Sequence, residues 1–177
     1  MFAKLKKVLD RTLEVIVTVS MVFLVLDVTW QVFTRFILKD PSSWTEELAT
    51  FLMIWVGLLG ASVALNRDAH LGIDYFTSKM SPKKRIYVEL FSFFCIAVFS
   101  LLVLVIGGIN LVSITLQNNQ LSPALGLKMG YVYLALPISG IFLVLYSSEF
   151  FVQRIVAIVR GRQIQQPHDF QSTASID

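Results

Sequence analysis

Few residues in this chain have the type and spacing for chemistry. In the first apolar stretch, Asp27, Gln31 and Arg35 stand at i, i+4 and i+8, with Ser20 and Thr34 near the same helical face. A charged group at the centre of a bilayer costs about 2.5–3.5 kcal/mol, so Asp27 should face protein or a wet crevice rather than lipid. Its chemical reading is a proton or ion site. Its structural reading, favoured because no second intramembrane acid is near in sequence, is a carboxylate hydrogen-bonded to a neighbouring helix. The next group is the carboxylate pair Glu46-Glu47 beside Trp44. Ser43 and Glu46 have the spacing of a capping box, and two acids in a first turn complement the helix dipole. Docking of a partner at the membrane face is the functional alternative. His70 and Asp74 come third, in a polar stretch, and suit hydrogen bonding at the inner interface. No second His, Cys or acid cluster accompanies His70, so no metal site is expected. The lone Cys95, among Phe93, Phe94 and Ile96, reads as a buried, inert thiol.

These residues do not add up to an enzyme. The sequence holds no Ser/His/Asp set, no paired intramembrane acids, no metal cluster and no phosphate loop, and no cofactor is expected. The elements that carry them explain why. Of 177 residues, 55% are hydrophobic and 15% charged, against roughly 25% charged in soluble domains. Four apolar stretches, 12–36, 47–66, 86–117 and 129–159, occupy most of the chain, each long enough to cross a hydrocarbon core of about 30 Å. The expected fold is an all-α integral membrane domain of four transmembrane helices over residues 1–160. A flexible polar tail at 161–177 follows it. Residues 70–80 read as a short amphipathic segment at the interface between helices 2 and 3.

Charge sets the orientation. Lys4, Lys6, Lys7 and Arg11 precede the first span. Arg67, Lys79, Lys83, Lys84 and Arg85 lie between the second and third, and Arg154, Arg160 and Arg162 are assigned to the end of the fourth. The other two loops hold only Arg35, Lys39 and Lys128. Lys and Arg concentrate on the cytoplasmic side, so both termini are expected there. The net charge of +3 then reflects topology and lipid headgroups, and no nucleic-acid partner is expected. The basic, apolar start lacks a small-x-small cleavage site, which reads as a retained anchor.

The second stretch runs without charge from Leu48 to Asn66 and contains Gly57, Gly60, Ala61, Ser62 and Ala64. Small residues let helix backbones approach closely, so Trp44, Glu46, Glu47, Gly57, Gly60, Ala61 and Ala64 form the expected partner interface. The third stretch is too long to cross upright. Gly107-Gly108 is its natural bend or close contact, and Pro137 with Gly140 forecasts a kink in the fourth. Ser122-Pro123 reads as a helix start.

W-x-E-E-L-A from Trp44 to Ala49, the glycines 57 and 60 with Ser62-Val63-Ala64, and H-x-x-x-D from His70 to Asp74 form one pattern. It closely resembles the small membrane subunit, the DctQ or SiaQ type, of tripartite ATP-independent periplasmic (TRAP) transporters. The resemblance implies a multi-pass protein of the bacterial inner membrane. It also implies two partners: a large multi-helix membrane subunit that carries substrate and sodium sites and moves like an elevator, and a periplasmic substrate-binding protein. The small subunit is then a static, non-catalytic brace for uptake of an organic acid, such as sialic acid or a C4-dicarboxylate. The alternative from the residues alone is an autonomous, proton-coupled homodimeric transporter working through Asp27.

Overall fold

The computed structural model describes residues 2–40, 42–67 and 82–159. Among these residues the chain is helical, with a single isolated bridge between Leu121 and Lys128. Helix α1 (Phe2–Phe33) runs on through a π-helical turn at Thr34–Leu38, and α2 (Ser43–Asn66) follows. Helix α3 (Pro82–Phe99) passes through a π-helical stretch, Ser100–Gly107, into α4 (Gly108–Gln117). After a loop, α5 (Met129–Tyr133) and α6 (Ala135–Val159) complete the fold. Four stretches are long and apolar enough to cross a membrane: Lys6–Leu38, Ser43–Asn66, Ile86–Gln117 and Met129–Val156. The protein is therefore an all-α, four-span membrane protein. Residues 68–81, with His70, Asp74 and the expected amphipathic segment, lie outside the described residues, as does the tail.

Helix α1 touches the bundle along one line. Its half-buried and buried positions include Lys6, Asp10, Leu13, Val17, Ser20, Leu24, Asp27, Gln31 and Thr34, which alternate in steps of three and four. That 3.5-residue period is the seam of a coiled-coil-like pair, and α2 supplies the partner. From Val15 onward, most of the other positions of α1 are exposed apolar side chains suited to lipid. The expected polar line is corrected at its end. Arg35 is exposed, because two successive steps of four rotate it off the seam, and Thr34, 5% exposed, takes the position.

Helix α6 packs against α2, α3 and the π stretch, and sits in the middle of the bundle. Small residues make this possible. Ala135, Ser139 and Ser147 are fully buried, and Ser62 of α2 donates a hydrogen bond to the Ser139 carbonyl at 3.2 Å. Apolar residues gain little by leaving lipid, so close backbone approach and hydrogen bonds between helices carry this packing. Gly140 faces the π stretch, where an added Cβ would lie 2.8 Å from Leu104 Cβ. Gly108 meets α6 from the other side, with Leu136 Cβ and Pro137 Cδ each 3.0 Å from an added Cβ. The close contact expected at Gly107-Gly108 is found at Gly108, and the π-helical stretch runs up to and includes Gly107.

The fourth span breaks at Leu134, one turn ahead of Pro137. Proline lacks an N–H and its ring presses on the carbonyl four residues back, so the helix interrupts there. Three further expectations are corrected. The Ser43–Glu46 capping box does not form: Ser42 is the N-cap, without a side-chain capping bond. Ser122-Pro123 starts a turn rather than a helix, which begins only at Met129. Cys95 is exposed on the apolar flank of α3, because apolar neighbours in a membrane helix face lipid as readily as core.

Candidate partner interface

At one end of the bundle, Glu47, just past the first turn of α2, reaches toward the loop between α4 and α5. Its two carboxylate oxygens accept hydrogen bonds from the backbone N–H groups of Ala124 (2.9 Å) and Leu125 (3.0 Å). The loop is a small closed structure in its own right. Ser122 N–H donates to the Leu127 carbonyl at 2.8 Å, Met129 N–H to Gln120 at 3.0 Å, and Gly126 N–H to Ser122 at 3.0 Å. Gly126 adopts φ +64°, a left-handed geometry that favours glycine. A charged acceptor on two amides is a strong form of hydrogen bond, so Glu47 pins this loop to α2. Leu121 and Leu127 project from it, 59% and 48% exposed. Glu46, one residue earlier, stays exposed.

Along α2 the expected interface residues separate onto two faces. Gly60 turns toward α1, its missing Cβ 3.9 Å from Val17, and Ala64 is half-buried. Gly57 has no atom within 4 Å of an added Cβ and is exposed, as are Ala61, Met53, Thr50 and Glu46. These five form one narrow open strip on a helix whose other sides are covered by α1 and α6. Trp44, also exposed, stands at the start of the same helix on a different side.

Asp27 lies in the α1–α2 seam, 9% exposed, and its Oδ2 is buried without a hydrogen-bond partner. Gln31 is half-buried one turn away and Arg35 points outward. The polar trio is thus not brought together. No group of three or more His, Cys, Asp or Glu side chains able to hold a metal occurs among the described residues.

The opposite end carries a web of ionic contacts. Tyr146 O–H donates to Asp10 Oδ1 at 2.6 Å, Lys6 pairs with Glu149, and Arg67 pairs with Glu14 at 2.9 Å. Deeper in, Glu89 of α3, 7% exposed, meets Arg154 Nε of α6 at 3.0 Å. These bonds join the start of α1 to the ends of α2 and α6, and α3 to α6. Sequence reasoning missed them because it counted Lys6, Arg67 and Arg154 only as topology signals. The one hint was that Glu89, Glu149 and Glu14 stand inside or beside the spans, where an unpaired acid is costly. For Glu47 there was no comparable hint: its partners are backbone amides 77 and 78 residues away.

Comparison with known proteins places this geometry in a family context. Residues 24–157 match the family described as tripartite ATP-independent periplasmic transporters, DctQ component. The chain is 31% identical over 147 residues to the sialic acid TRAP transporter small permease protein SiaQ of Vibrio cholerae, covering 82% of each. It is 30% identical over 97 residues to the C4-dicarboxylate TRAP transporter small permease protein DctQ of Rhodobacter capsulatus, covering 55% of this chain and 42% of that one. A 73-residue segment is 40% identical to part of the sialic acid TRAP transporter permease protein SiaT of Haemophilus influenzae, 39% of this chain against only 12% of that much longer one.

Proposed function

The chain belongs to the DctQ component family of tripartite ATP-independent periplasmic transporters, and from that membership we propose that it is the static brace of a transporter whose moving parts reside in a separate large permease. It is a small permease component in the bacterial inner membrane, with four spans. The observation that carries the brace reading is the unfilled strip Glu46, Thr50, Met53, Gly57 and Ala61 on α2. Beyond its first turn that helix is otherwise covered, and the small residues Gly57 and Ala61 leave room for the backbone of another helix. The much longer SiaT relative, which contains a segment like this chain, supports a partner of that size.

On this reading both termini lie in the cytoplasm, and the α4–α5 loop with Trp44 faces the periplasm. There it meets a binding protein that delivers an organic acid, sialic acid or a C4-dicarboxylate. Sodium coupling and the solute site belong to the large permease. The small subunit performs no chemistry. Its ionic web and buried serines hold a rigid shape against which another subunit moves.

The test is the composition of the tagged chain extracted from its native membrane in mild detergent. One copy with one large polytopic permease is expected, and Gly57→Leu should reduce that recovery by filling the strip. A stable species of this chain alone, transporting after reconstitution and losing transport in Asp27→Asn, would instead establish the autonomous reading. The unpartnered Asp27 oxygen is the observation that keeps that alternative worth testing.

A further inference from the structure

Where α1 ends and α2 begins, Trp30, Thr34, Leu38, Asp40, Ser42, Ser43 and Trp44 line an open cleft of about 640 Å³. That volume lies within the range of about 300–1,000 Å³ of small-molecule sites. From this cleft we infer that the chain seats one phospholipid with an amine-bearing, zwitterionic headgroup, of the phosphatidylethanolamine type.

The inference rests on the chemistry of the walls. Among the described lining residues Asp40 is the one ionisable group, and it is exposed, so the complementary occupant brings a positive charge. Trp30 and Trp44, 48% and 46% exposed, add aromatic faces that attract an ammonium and belong at headgroup depth. The cleft also contains the first residues of the 24-residue α2, whose N-cap Ser42 makes no side-chain capping bond. An uncapped helix start offers backbone N–H groups and a positive dipole end to a phosphodiester. A carboxylate for the amine and a helix start for the phosphate thus lie within a few residues of each other.

The place for the tails is present too. Below Trp30, the residues Leu26, Phe23 and Val19 follow along one face of α1, all exposed, and form an apolar track running toward the bilayer centre. A protein helix would satisfy that track, and would answer Asp40 only if it carried a Lys or Arg at the matching position. A free phosphate would satisfy the helix start and leave the tryptophans and the track bare. A two-tailed amphiphile with both charges answers all three features. The inference concerns the chain's membrane-facing surface and does not depend on which solute its transporter carries.

The experiment uses the full chain, reconstituted in vesicles containing equal parts of phosphatidylethanolamine, phosphatidylcholine and phosphatidylglycerol. The chain is then re-extracted and examined by native mass spectrometry, with helix content checked by circular dichroism. One retained phosphatidylethanolamine is expected, favoured over phosphatidylglycerol about fivefold, the size of one exposed ion pair. Asp40→Asn should bring that ratio near one, and Asp40→Lys should invert it. Trp44→Ala should lower retention of all three lipids. Equal retention in the wild-type chain, a preference for phosphatidylglycerol, or a ratio unmoved by Asp40→Lys would overturn the inference. So would loss of the bound lipid when the chain is extracted together with its large permease, which would assign the cleft to a protein contact.

Discussion

Replacing Gly140 by alanine tests the packing argument most directly. The new Cβ would lie 2.8 Å from Leu104 Cβ, 2.9 Å from Val105 Cγ2 and 3.1 Å from the Val105 backbone nitrogen. Carbon atoms rest about 3.5–4.0 Å apart, so α6 and the π-helical stretch must separate by up to about 1 Å. A Cβ and a backbone nitrogen cannot rotate out of the way. Overpacking of this kind costs about 1–3 kcal/mol, against a gain of about 1 kcal/mol from alanine's better helix propensity. The expected net loss is therefore up to about 2 kcal/mol. At about 2–4 °C per kcal/mol for a chain of this size, Tm should fall by up to about 8 °C, followed by circular dichroism in a mild detergent. Gly57→Ala is the matched control: with nothing within 4 Å of its Cβ it gains propensity without a clash, and Tm should hold or rise. Gly130→Ala is a second control. Its Cβ would lie 2.4 Å from Leu116 Cγ, yet every atom it meets belongs to a side chain that can turn away. Its loss should be smaller than that of Gly140→Ala. A higher Tm for Gly140→Ala, or equal shifts at residues 57 and 140, would refute the reasoning.

Three other outcomes follow from the same geometry. Arg154→Leu leaves the buried Glu89 carboxylate without this partner and should cost about 3–5 kcal/mol, while the double variant Glu89→Leu/Arg154→Leu should recover much of the loss in the same thermal assay. Glu47→Ala should speed hydrogen exchange at residues 120–128 and leave the spans protected; Glu46→Ala should not, and equal effects would deny Glu47 its place as the loop anchor. Asp27→Leu removes a buried oxygen that has no partner, so the chain should be at least as stable as before. Transport by the assembled complex should persist in that variant, and its loss with assembly intact would make Asp27 a working group.

Much of the fold was legible in the residues. Span number and approximate limits came from charge-free length, because transfer into hydrocarbon is a property of local composition. The W-x-E-E-L-A pattern beginning at Trp44, together with the glycines at 57 and 60, Ser62-Val63-Ala64 and the H-x-x-x-D from His70 to Asp74, suggested the family. The polar line on α1 was partly legible: Asp27 and Gln31 were placed on the packed side, but the step to Arg35 assumed a period of four where the seam keeps 3.5. The break in the fourth span was visible in Pro137, and its position a turn earlier follows from proline chemistry.

Tertiary structure decided the rest. Which small residues meet a neighbour could not be read from α2, where Gly57 and Gly60 look alike, yet one is open and the other turns to α1. The same holds for Cys95, taken for core and found exposed, and for Glu47, whose bonds close a loop 77 residues away. The physical reason is common to all three. In a soluble domain water separates inside from outside, so apolar residues mark the core. In a bilayer, lipid and protein interior are equally hospitable to apolar side chains, so the sequence reports that a helix spans but not how it is turned. That rotation is set by close backbone approach and by the few polar bonds between helices, which exist only once the helices have met.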